Sequence, residues 1–148
     1  MWYQVKVKYD KMQDNGCVNP VTDVYVVDAL SFTEAEARIT EHVQPYVSGE
    51  FQVTDIKRAN YAEVWEAPAD ADYWFESQLE FITINEAAGT EKRTKQRMLV
   101  QADNLQGAMD AVGENMRGTM ADFDAVSIKA TPIVEVVKYN PENNNEND

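Results

Sequence analysis

The sequence predicts an α+β fold made by tandem duplication of a β-β-α-β(-β) unit. Each repeat would hold antiparallel sheet covered on one face by one helix, with the repeats related by a pseudo-twofold. Three observations predict it. Residues 2–66 align with residues 74–138, each half opens on an alternating run, and each half carries the same apolar stripe at helical spacing.

The first strand reads WYQVKVKY. Trp2, Tyr3, Val5, Val7 and Tyr9 fall on Trp74, Phe75, Ser77, Leu79 and Phe81 at a constant offset. Successive strand residues point to opposite faces, so Tyr3, Val5, Val7 and Tyr9 should point inward and Gln4, Lys6 and Lys8 outward. A hairpin loop follows in each half, MQDNGCVNP and then EAAGTEK, and Asn15-Gly16 is a strong turn signal. The second strands are VTDVYVVDA and KQRMLVQA, with Val27 and Ala29 matched by Val100 and Ala102.

The helices agree best. Phe32, Ala35, Ile39, Val43 and Val47 repeat as Leu105, Ala108, Val112, Met116 and Met120, a stripe on one helical face. Ser31 reads as an N-cap, and Glu34 completes a capping box. Asn104 takes the second cap, but Gly107 stands where Glu34 stood, so the reciprocal bond is lost. Pro45 and Gly49 should end the first helix, and Gly113 and Gly118 weaken the second.

The last element, residues 50–66, is too long for an ordinary strand. Its alternation slips at Ile56, which predicts a bulge or bend near Lys57 to Asn60. Pro132 occupies the place of Asn60 in the second half, and proline cannot donate to a ladder. The expected organisation is a first repeat over 1–66, a linker over 67–73 opening on APADAD, a second repeat over 74–139, and a disordered acidic tail over 140–148, with the repeats packed as one unit.

Charge narrows the functional classes. The net charge of −13 repels a phosphate backbone, so direct nucleic-acid binding is not expected. The single cysteine, Cys17, allows neither an internal disulfide nor a cysteine-built zinc site. The N-terminus lacks the pattern of a signal peptide, and no stretch has the ~20 apolar residues of a membrane span. A cytoplasmic protein without a membrane partner is the expectation.

No phosphate loop, nucleophile elbow or zinc-protease motif is present. The single histidine, His42, reads as a boundary residue and not as a base. Asp122 and Asp124 share a strand face, and Glu34, Glu36 and Glu41 crowd the first helix, but with 26 acids such pairs arise by accident. No catalytic residue, metal or cofactor is assigned. Trp2 and Trp74 fall on the outward phase, and two readings stay open for them: an exposed interface, or a second covered face. The basic cluster KRTKQR, with Lys92, Arg93, Lys95 and Arg97, reads as edge protection or internal pairing before it reads as a grip on an acidic partner. Lys57 recurs as Lys129 and is scaffold, whereas Arg58, Asn60 and Tyr61 do not recur and form a weak interaction-surface candidate.

Three stretches, VVDALSFTEAEARI, SGEFQVTDIKRANYAEVW and RGTMADFD, resemble an uncharacterised domain-of-unknown-function family of Bacteroidetes bacteria and their phages and mobile elements. The resemblance covers residues 2–139 and brings no activity or site residue. It implies a small soluble protein of phage or prophage descent. The preferred reading is a non-enzymatic binding or assembly protein acting with a protein partner or by self-association. The alternatives are an acidic nucleic-acid mimic that inhibits a DNA-binding protein, and a small-ligand protein or enzyme with its site between the repeats.

Overall fold

The computed structural model describes residues 1–139, so the expected tail over 140–148 lies outside the described residues. In chain order the elements are β1 (Trp2–Met12), β2 (Val18–Asp28), α1 (Phe32–Val43), β3 (Phe51–Ala59), β4 (Tyr61–Trp65), β5 (Tyr73–Asn85), β6 (Thr90–Ala102), α2 (Leu105–Met116), β7 (Asp122–Ala130) and β8 (Ile133–Val137).

Alternation on β1 works as read. Tyr3, Val5 and Val7 are fully buried beneath Ala35, Ile39 and Val43 of α1. In the second half Leu79, Met98 and Val100 lie beneath Val112 and Met116 of α2. Each fully buried side chain of this size contributes roughly 1.5–3 kcal/mol. Ser31 Oγ accepts the Glu34 N–H at 3.1 Å, and Asn104 Oδ1 accepts the Gly107 N–H at 2.7 Å. Both helices stop a turn short of their stripes. Val47 lies beyond α1 yet packs against the core, whereas Met120 lies beyond α2 and is fully exposed. Gly16 and Gly89 adopt φ of +84° and +66° in the two hairpin loops, where a side chain would be strained.

The fold class is corrected by the sheets. Among the described residues the chain is mostly β, 55% strand against 17% helix, which does not describe a tandem of self-contained α+β units. There are two four-stranded sheets, in the orders β3-β1-β2-β8 and β4-β6-β5-β7. The last strand of each half has left its own sheet. β4 pairs in parallel with β6, and β8 pairs in parallel with β2, while all other pairs are antiparallel. The chain accordingly divides into one unit of Met1–Ala59 with the segment from Ile133, and a second unit of Asn60–Pro132.

Geometry explains why β4 cannot stay at home. β3 and the slot filled by β8 are the two opposite edges of the first sheet, three strand spacings apart, or about 14 Å. Only Asn60 separates β3 from β4, and one residue spans at most ~3.6 Å. The slot must therefore be filled by a strand arriving from elsewhere, and the C-terminal β8 does so. The phase slip seen at Ile56 comes from a bulge at Thr54, between the pairs Lys6–Asp55 and Val7–Val53, so the bulge lies earlier than Lys57; the change of sheet falls at Asn60, and Thr131-Pro132 marks it again before β8.

The exchanged strands are short. β4 meets β6 only over Arg97–Val100, so Thr90–Gln96 pairs with no described strand on that side. Lys92, Arg93 and Lys95 fall on this open stretch. The corresponding open stretch of β2 holds Pro20, because β8 meets only Val24–Val27. Lysine and proline are common means of blunting a free strand edge.

Candidate functional site

The sequence candidates fall in both units. Arg58 lies exposed on β3, opposite Tyr3 on β1, in the first unit. Asn60 and Tyr61 belong to the second unit. Trp74 is only 4% exposed, so it is not the open interface residue that the alternation allowed. Trp2 is half-buried.

Asn60 and Tyr61 line an open notch of about 640 Å³ with Gln78, Lys95 and Arg97, where β4 begins beside β6. The notch rests on a buried carboxylate. Glu76, with its side chain 11% exposed, receives Arg97 Nη1 on one oxygen and Lys129 Nζ on the other, both at 3.1 Å. β5 carries Glu76 directly opposite Lys129 on β7 and Gln78 opposite Arg97 on β6, so the register builds the triad. Arg97 also lies 5.7 Å from the Tyr61 ring centre. Burial first, then the Glu76 charge, raises the Tyr61 hydroxyl above its ordinary range, and Arg97 opposes that shift. Arg97 is thus committed to Glu76. The nearby Arg93 is committed too, bonding Glu80, Glu91 and Asp124 at 2.9–3.1 Å, and these bonds raise its pKa. Two of the four cations of the basic cluster, Arg93 and Arg97, are therefore bound to the protein's own acids.

A second recess was not anticipated from the sequence. It is a groove of about 580 Å³ between the segment Glu66–Ala71 and one face of α2. Its walls are short side chains: Ala67, Ala69 and Ala71 on one side, Gly107 and Ala111 on the other. Its rim is acidic, with Glu66, Asp70, Asp103, Asp110 and Glu114, and among the described residues no lysine or arginine lines it, although Arg117 Nη2 reaches in to pair with Glu114 at 2.8 Å. The segment is pinned in place by one residue. Gln101 Oε1 accepts the Ala67 N–H at 3.0 Å, and Gln101 Nε2 donates to the Ala71 carbonyl at 2.9 Å. Asp103 accepts the Asp72 N–H at 3.3 Å. The stretch first read as a linker is thus one wall of a built groove. Its sequence signal was the coincidence of APADAD with small residues on the facing side of α2, which a search for reactive side chains passes over.

Elsewhere the chemistry is modest. His42 Nε2 lies 2.7 Å from Glu135 Oε2, which ties α1 to β8. Cys17 is exposed in its hairpin loop. No group of three or more potential metal ligands converges among the described residues. No helix among them is long and apolar enough to cross a membrane.

The chain belongs to the family described as Domain of unknown function (DUF4494), whose model matches residues 1–139. No curated protein and no solved structure matches it. Family membership therefore assigns no activity, and the weight falls on the geometry.

Proposed function

We propose that the protein is a non-enzymatic binding module and that a protein partner docks in the groove between Glu66–Ala71 and α2. The observation that carries this reading is the groove's construction. Its wall is held by the paired hydrogen bonds of Gln101, its interior is lined by alanine and glycine, and its rim is mostly acidic, with Glu114 alone seen paired, to Arg117. A recess of this size lies in the ordinary range of binding pockets, and a rim of one charge raises the local concentration of opposite charge. The family-level resemblance extends the proposal: a cytoplasmic protein of Bacteroidetes, of phage or prophage descent, acting with a protein partner or a second copy of itself. Flanking phage or mobile-element genes are the check on that descent.

The docking reading is tested by affinity capture from the native host with three baits: the wild type, Ala111→Arg, which fills the groove, and Lys95→Glu, which alters the notch. A partner kept by the wild type and Lys95→Glu but lost by Ala111→Arg supports it. Loss with Lys95→Glu alone moves the site to the notch. Sedimentation of the purified chain covers self-association, since a dimer dissociated by Ala111→Arg makes the partner a second copy. A monomer that captures nothing overturns the reading.

A further inference from the structure

The two units supply their own experiment on what the groove holds. In the first unit the Arg38 guanidinium lies 3.9 Å from the Tyr139 ring centre. It is paired with Glu34 and donates to the Asp28 carbonyl. Glu34, Arg38 and Tyr139 form one stacked cluster on the outer side of α1, beside the exchanged strand β8.

The repeat alignment places Gly107 at Glu34, Ala111 at Arg38 and Ala67 at Tyr139. All three side chains of the cluster are cut back in the second unit, and all three of those positions line the groove. The groove is thus lined by the positions that carry the cluster in the first unit. Charge changes with it. Lys138 aligns with Glu66, and Ala37 aligns with Asp110. At these positions the second unit has lost an arginine and a lysine, gained the carboxylates of Glu66 and Asp110, and lost that of Glu34. Glycine at 107 also protects the cap, because a Cβ there would sit 3.3 Å from Asn104 Oδ1.

Resting on the docking reading above, we infer that the groove takes an arginine with an adjacent aromatic ring from a peptide segment of the partner, replacing in trans the Arg38–Tyr139 stack that the first unit makes in cis. A planar guanidinium stacks on an aromatic face and forks onto carboxylates, and an ammonium does neither as well. Small walls leave room for the stack, and Asp110 lies beside it with Glu114, an exposed carboxylate that a partner arginine would share with Arg117.

The test is an amide-resonance titration of the isotope-labelled full chain with a capped Gly-Arg-Tyr-Gly-Arg-Tyr-Gly peptide. Saturable shifts at Ala67–Ala71, Gly107 and Ala111 are expected. Lysine for arginine in the peptide should weaken binding about tenfold, since the stacked fork is lost. Ala111→Arg should abolish the shifts while keeping the wild-type spectrum elsewhere, and Asp110→Asn with Glu114→Gln should weaken binding without filling the space. Equal binding of the lysine peptide, shifts that survive Ala111→Arg, or no shifts at millimolar peptide would each overturn the inference. A captured partner that still requires an open groove would leave the docking reading standing when the arginine inference fails, so the two failures are separable.

Discussion

The first unit closes its surfaces with its own side chains, and the second leaves equivalent positions open or charged. Arg38 stacks on Tyr139 and His42 pairs with Glu135 in the first; Ala111, Ala67 and Asn115 stand at the places of Arg38, Tyr139 and His42 in the second. Beneath the sheet the contrast reverses. The first unit has Gln4 and Val24 where the second has Glu76 and Arg97. One backbone pattern thus tolerates either a neutral pair or a buried carboxylate held by two exposed cations at the same register. Differences between repeats that share strand order and helix stripe are where selection for something other than folding is easiest to see.

The largest expected break in this comparison is at the triad. Arg97→Ala leaves the buried Glu76 with Lys129 alone and should destabilise by about 1–2 kcal/mol, because solvent screens the half-exposed guanidinium and a second cation remains. Glu76→Gln, which installs the first unit's residue, should cost only about 1 kcal/mol, because the amide can still hydrogen-bond. Urea unfolding of both variants reads the difference, and equal costs would show that the triad is not the reason Arg97 matters.

Two buried hydroxyls come next. Tyr3 Oη and Ser77 Oγ have no hydrogen-bond partner among the described residues, and the other repeat carries Phe75 and Val5 at those positions. Tyr3→Phe and Ser77→Val should each stabilise by about 1 kcal/mol by removing an unsatisfied polar group. A loss in thermal unfolding would mean that the hydroxyls are in fact bonded. Gly113→Ala should add about 0.5–1 kcal/mol, since α2 has open space at that position and the first unit places Thr40 there.

The smallest effect near neutrality is an alkaline one. Burial, with Asp23, Glu135 and Tyr9 adding to it, raises the Tyr25 hydroxyl from 10.0 to about 12. The folded state favours the neutral phenol, so this contribution is fully present below pH 10 and is lost as pH rises from 10 to about 12. Tyr25→Met, the residue the second unit carries as Met98, should flatten the loss of melting temperature across that window. An unchanged alkaline profile would place the sensitivity elsewhere, with Tyr61 the next group to replace.

Much of this was legible in the chain itself. The self-similarity of residues 2–66 and 74–138, the inward phase of Tyr3, Val5 and Val7, the caps at Ser31 and Asn104, and the interruption near Asn60 and at Pro132 all follow from local rules of periodicity, capping and turn chemistry, whereas the tandem α+β fold drawn from them does not hold. The groove was legible only in part. Gly107 opposite Glu34 was visible as a lost capping box, but its meaning as vacated volume needed Ala67 brought against α2, and those positions are 40 residues apart in the sequence.

Strand partnership was the tertiary structure's decision. Alternation states which face of a strand is buried, and it is silent on which edge the strand joins. Read alone, β4 and β8 belong to the repeats they end. The sheet order puts each one's slot three strands away from where its own repeat releases it, with too little chain between to reach it. The exchange of β4 and β8, the mostly-β character that follows, and the groove beside α2 are consequences of that distance.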